Sequence, residues 1–120
     1  MDERDRLILR RTLGVASWLY AAFGVVVALM LLRLEPGGEG IYAPRTFAAL
    51  VLAHAVLLGA AGEALARPRR WALPVTLLAA AGALFFAVLE AAKGNALSAA
   101  LDGGYALLAV TILLKTRASP

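Results

Sequence analysis

The sequence predicts an all-α membrane protein, an antiparallel bundle of four transmembrane helices with both termini in the cytoplasm. Three observations predict it. Apolar residues make up 62% of the 120 residues and charged ones only 17%, against about 45–50% and about 25% in soluble domains. The charged residues gather between four long apolar runs instead of marking polar helix faces. Lysines and arginines also divide unequally between the two ends of those runs. The chain length supports one domain.

The apolar runs cover 13–32, 46–66, 71–89 and 96–114. Each is close to the ~20 residues needed to cross about 30 Å of hydrocarbon at 1.5 Å per residue. Helices satisfy their own backbone groups, which lipid cannot do for an open strand. The first run is too long for a signal-peptide core, and no small-residue cleavage pattern intervenes before Arg33. Residues 35–40, rich in Gly and carrying Pro36, read as an irregular loop. The basic stretch Arg67, Pro68, Arg69 and Arg70 is short enough to make the second and third runs a tight hairpin. Pro68 discourages helix continuation, and Pro74 falls in a first turn where its missing N–H costs little. Asn95 is placed to cap the fourth helix.

Orientation follows from the basic residues. Arg4, Arg6, Arg10, Arg11, Arg67, Arg69, Arg70, Lys115 and Arg117 share one side, and Arg33, Arg45 and Lys93 the other. Nine against three puts the termini in the cytoplasm of a cell inner membrane. That distribution accounts for the net charge of +4 as a topology signal, so nucleic acid is excluded as a partner. Trp18 and Trp71 fall toward the cytoplasmic face and Tyr42 toward the other, as interfacial aromatics do. Small residues recur at packing intervals: Ser17, Ala21, Gly24 and Ala28; Ala55 and Gly59; Ala79, Ala83 and Ala87; Ala99 and Gly103.

Ionisable residues inside spans point to function or to structural pairing. His54 lies about 12 Å below the start of its span and Asp102 about 9 Å below the start of its own. Ser98 and Tyr105 share a helix face with Asp102. If the second and fourth spans are neighbours, His54, Asp102, Tyr105 and Ser98 form one buried polar cluster. It would relay a proton, hold a polar ligand, or simply fix helix register. Glu63 and Arg67, four apart, read as an interfacial ion pair, and Glu90 with Lys93 as another.

Other chemistries are set aside. The chain has no cysteine and one histidine, so disulfides, thiolate nucleophiles and bis-histidine haem ligation are excluded. No zinc motif or phosphate-binding loop is present, no residue is assigned as catalytic, and neither metal nor cofactor is expected.

A four-span layout of this length invites comparison with small multidrug antiporters, but run 13–32 lacks the ionisable residue those carry in their first span. The layout resembles more closely the DoxX-like group of small bacterial four-helix membrane proteins. The resemblance rests on the Gly/Pro-containing first loop, Arg45 opening the second span, Gly59 within it, the basic turn from Arg67 to Arg70, and Asp102 early in the fourth. It implies a four-helix membrane fold and no catalytic residue. The expected role is non-enzymatic: an accessory or structural membrane protein, alone or as a subunit of a larger membrane complex. The alternatives are an oligomeric transporter or proton-coupled carrier using His54 and Asp102, and a membrane redox or quinone-associated component. The partners expected are the lipid bilayer and either a larger membrane-protein complex or further copies of the chain.

Overall fold

A computed structural model describes residues 2–33, 43–67 and 70–116. They form α1 (Glu3–Leu32), α2 (Pro44–Ala66), α3 (Ala72–Ala92) and α4 (Ala96–Thr116). All four helices are long and apolar enough to cross a membrane, so the chain is a multi-pass, four-helix transmembrane protein. The loop 35–40, Tyr42, the Pro68–Arg69 pair and Arg117 lie outside the described residues.

α1 begins ten residues before the expected span. Hydropathy marks where hydrocarbon starts, whereas backbone hydrogen bonding continues past it into the aqueous phase. The Asp2 carboxylate caps the new start by accepting from the Asp5 N–H at 2.9 Å, and Glu3 and Asp5 sit in the first turn. Negative charge there complements the helix dipole. At about 45 Å, α1 outreaches the hydrocarbon core by roughly half its thickness.

α2 opens with Pro44 in the first turn and closes on a Glu63–Arg67 ion pair at 3.6 Å. Both partners are exposed, so the pair contributes little to stability. α3 and α4 are joined by residues 93–95 alone. Gly94 takes φ +83, a left-handed conformation that glycine adopts without a Cβ penalty. The Asn95 side chain then accepts from the Ser98 N–H at 3.3 Å and starts α4.

The helices form a ring in chain order. α1 packs chiefly on α2 and α4 on α3, while the α2–α3 and α1–α4 seams close the circle. Among the described residues, the backbones of α2 and α4 stay more than 8 Å apart at every Cα, as do those of α1 and α3. The core is mostly alanine, with Leu13, Leu58, Leu65 and Ile112 filling the wider gaps. Outward-facing side chains are apolar too: Val56 is 72% and Leu107 70% exposed. Exposure on that scale is favourable against lipid, not water.

The tightest helix approach lies one turn below the expected Gly59. A Cβ built on Gly62 would stand 2.6 Å from Trp18 Cδ1 and 3.0 Å from the Gly14 carbonyl oxygen; one on Gly59 would meet the Trp18 ring at 3.7 Å, an ordinary contact. Gly14 and Gly62 therefore let α1 and α2 meet backbone to backbone, as small residues do in membranes. The Trp18 indole covers the junction.

Candidate functional site: a cavity with paired carboxyls

The ring leaves a cavity of about 430 Å³ between α1, α2, α3 and the start of α4. The volume is within the roughly 300–1,000 Å³ common for small-molecule sites. Its rim is polar and lies at the α3–α4 turn, with Glu90, Lys93, Asn95, Ser98 and Asp102. Its walls are apolar and aromatic, including Phe23, Val27, Val51 and Phe86, with Tyr20, His54 and Leu58 also in the lining.

Two carboxyls meet inside the rim. Glu90 lies near the end of α3 and Asp102 in the second turn of α4, and the short turn folds one against the other. The two side chains lie within hydrogen-bonding reach of each other. An ionised carboxylate only accepts, so a hydrogen bond between two carboxyls requires a proton on one of them. Two carboxyls sharing a proton in this way would present an acid and an anion side by side, the arrangement that carboxyl dyads use for acid–base chemistry. Tyr20 lies within electrostatic reach of Asp102. Its hydroxyl donates to the Leu101 carbonyl at 2.9 Å and ties α1 to α4 beside the dyad.

The expected cluster of His54, Asp102, Tyr105 and Ser98 is not formed as such. It required α2 and α4 to be neighbours, and they stand across the ring from each other. His54 turns instead to α3, where its Nε2 meets the Ala79 carbonyl at 2.9 Å. A carbonyl only accepts, so Nε2 donates and the neutral ring keeps its lone pair on Nδ1. Gly82 makes room for this ring, since a Cβ there would fall 2.6 Å from His54 Cδ2. Phe86 packs on the imidazole at 5.2 Å between centroids and meets Phe47 edge-on at 5.6 Å. Tyr105 faces α1: its hydroxyl pairs with Ser17 Oγ at 2.7 Å and its ring lies 4.9 Å from that of Tyr20. His54, Ser98 and Asp102 thus border one cavity without touching as a cluster, and Tyr105 sits in the α1–α4 seam.

The sequence reads Glu90 with Lys93 as a boundary pair or as part of a site on the outer side; both residues line the rim, and the proximity of Glu90 to Asp102 is what sequence reasoning missed. The signal lay in hairpin register. Three linking residues force positions just before the turn to face positions just after it. Among the described residues, no group of three or more His, Asp or Glu could hold a metal ion.

Fold and cavity together define a multi-pass membrane protein with two neighbouring carboxyls at the mouth of a largely apolar slot. Over 76 residues the chain is 40% identical to the lysoplasmalogenases of Mycobacterium bovis and Mycobacterium tuberculosis, a stretch covering 62% of this chain. That stretch spans 29% of the length of either relative. No family model and no solved structure matches the chain. The relatives are enzymes, and this likeness corrects the expectation of a non-enzymatic accessory or structural protein. The expectation rested on extramembrane segments too short for a catalytic domain, yet membrane-spanning helices can themselves carry polar side chains.

Proposed function

We propose that the chain is a membrane hydrolase acting on a lysoplasmalogen-type lipid, a single-chain glycerophospholipid whose tail is joined through an alkenyl ether. The observation that carries the reading is the Glu90–Asp102 pair at the mouth of an apolar cavity, in a chain similar to two lysoplasmalogenases. The dyad suits the chemistry. An alkenyl ether hydrolyses when a proton is delivered to the alkene carbon remote from oxygen, leaving an oxocarbenium ion. The protonated carboxyl supplies that proton, and the carboxylate beside it stabilises the cation. Water then adds to the carbon bearing oxygen, giving up a proton to a carboxylate of the pair. The hemiacetal so formed separates into an aldehyde and the glycerol hydroxyl, so one water is consumed and both carboxyls return to their starting state.

The test is direct. Purified protein in lipid nanodiscs, given a lysoplasmalogen, should release free aldehyde in proportion to enzyme and time. A saturated-ether analogue, which has no double bond to protonate, should release none. Failure of the wild-type protein to form aldehyde above the protein-free rate would end this reading.

The nine-to-three division of basic residues supports a cell inner membrane with both termini cytoplasmic. The rim of the cavity then faces the opposite side. A reporter enzyme fused after Pro120 should be active only in the cytoplasm; activity outside it would reverse the orientation.

A further inference from the structure

The cavity has a direction and a length. Its charged rim is at the α3–α4 turn, where Lys93 lies in the turn itself and Glu90 and Asp102 on the two helices it joins. Below the carboxyls the lining turns apolar. Along α2 it runs from Phe47 to Leu58, a distance of about 16 Å at 1.5 Å per residue. That is close to half of the roughly 30 Å hydrocarbon thickness, the depth of one leaflet. Leu19 and Phe23 line the cavity and are also exposed on the outside of the bundle, at 66% and 63%. The cavity therefore opens sideways to lipid along α1.

We propose that this slot gauges the length of one alkyl chain, with Leu58 as its floor. A single-chain amphiphile from the leaflet on the α3–α4 side slides in past Phe23. Its tail points toward Leu58, and its head group stays at the rim, where Lys93 offers a cation to a phosphate. The bond joining tail to glycerol then rests beside Glu90 and Asp102. A volume of about 430 Å³, near the low end of the small-molecule range, favours one chain over two. Chains that reach Leu58 gain contact along the whole slot; longer ones must bend out toward lipid. The chemistry at the rim rests on the hydrolase reading, whereas occupancy of the slot by a single chain does not.

Saturated-ether lysophospholipids test occupancy apart from catalysis, because they bind without being consumed. Two such probes, one short-chained and one long-chained, would each carry a photoreactive diazirine at the tail end. After irradiation in nanodiscs, mass spectrometry of the wild-type protein should place the long probe at Leu58 and His54 and the short one near Val51 and Phe47. An unlabelled lysophospholipid should abolish both adducts, and a two-chain phospholipid should not. Raising the floor with Leu58→Phe should weaken the long probe by about tenfold, the scale of a methylene lost from a fitted pocket, and leave the short one within about twofold. Adducts spread over lipid-facing Val56 and Leu107 with no dependence on chain length would overturn the proposal, as would equal competition by the two-chain lipid. If the depth pattern holds while no aldehyde forms from the alkenyl ether, the hydrolase reading fails and the chain-length slot stands.

Discussion

Replacing Asp102 with asparagine, or Glu90 with glutamine, is expected to lower alkenyl-ether hydrolysis by about a hundredfold to ten-thousandfold, the usual worth of a positioned acid or base. Each carboxamide keeps the shape of the side chain it replaces and can still hydrogen-bond its neighbour, so the helices should remain packed. What disappears is a group that is an acid at one moment and an anion at the next. The loss should appear in kcat with little change in KM, because the contacts proposed for head group and tail lie elsewhere. The double variant should be scarcely worse than either single one, since residues acting as a unit are not additive. Glu63→Gln is the control: that glutamate belongs to the exposed ion pair at the other end of α2, and its variant should turn over like wild type. Full activity in both Asp102→Asn and Glu90→Gln would remove the dyad from the chemistry.

The second large effect is structural. Gly62→Leu should lower stability in detergent by about 1–3 kcal/mol, the range for overpacked cores, and the upper end is expected here. Even the first added carbon would lie 2.6 Å from the Trp18 ring and 3.0 Å from the Gly14 carbonyl. The indole can swing away, but a backbone carbonyl can move only if the helix moves. Gly59→Ala, whose Cβ has ordinary contacts with Trp18, should change stability by less than about 0.5 kcal/mol. Combining Gly62→Ala with Trp18→Ala should cost less than the sum of the two, because one change makes the room that the other needs. Thermal unfolding of the four variants measures all of this; equal midpoints for Gly62→Leu and wild type would mean that α1 and α2 do not meet at Gly14.

These expectations separate what the sequence makes legible from what it hides. Helix number and approximate ends follow from hydropathy because lipid forces every long apolar segment into the same solution. Thus α2 and α4 start within two residues of their expected positions. The extension of α1 to Glu3 was hidden because hydropathy reports the membrane boundary and says nothing of where hydrogen bonding stops. Asp102, His54 and Ser98 were identifiable as unusual from burial cost alone. Their partners were not, because partnership depends on which helices adjoin, and a ring with α2 opposite α4 differs from its alternatives only in packing. Glu90 shows the opposite case. Its proximity to Asp102 is local in sequence and follows from a three-residue turn, yet its position near a helix end made a boundary ion pair the more ordinary reading.

The turn at Lys93, Gly94 and Asn95 bears on how such a protein is made. A carboxylate entering hydrocarbon alone is costly, by roughly 2.5–3.5 kcal/mol for Asp at a helix centre. Here both acids reside in one hairpin, twelve residues apart, and the left-handed glycine with its asparagine cap brings them together without help from α1 or α2. A hairpin leaving the insertion machinery can bury its acids already paired, with one proton between them and at most one charge to accommodate. The carboxyl pair would then be assembled before the cavity it borders, and the later packing of α1 and α2 would wall in a pair that the α3–α4 segment brings together by itself.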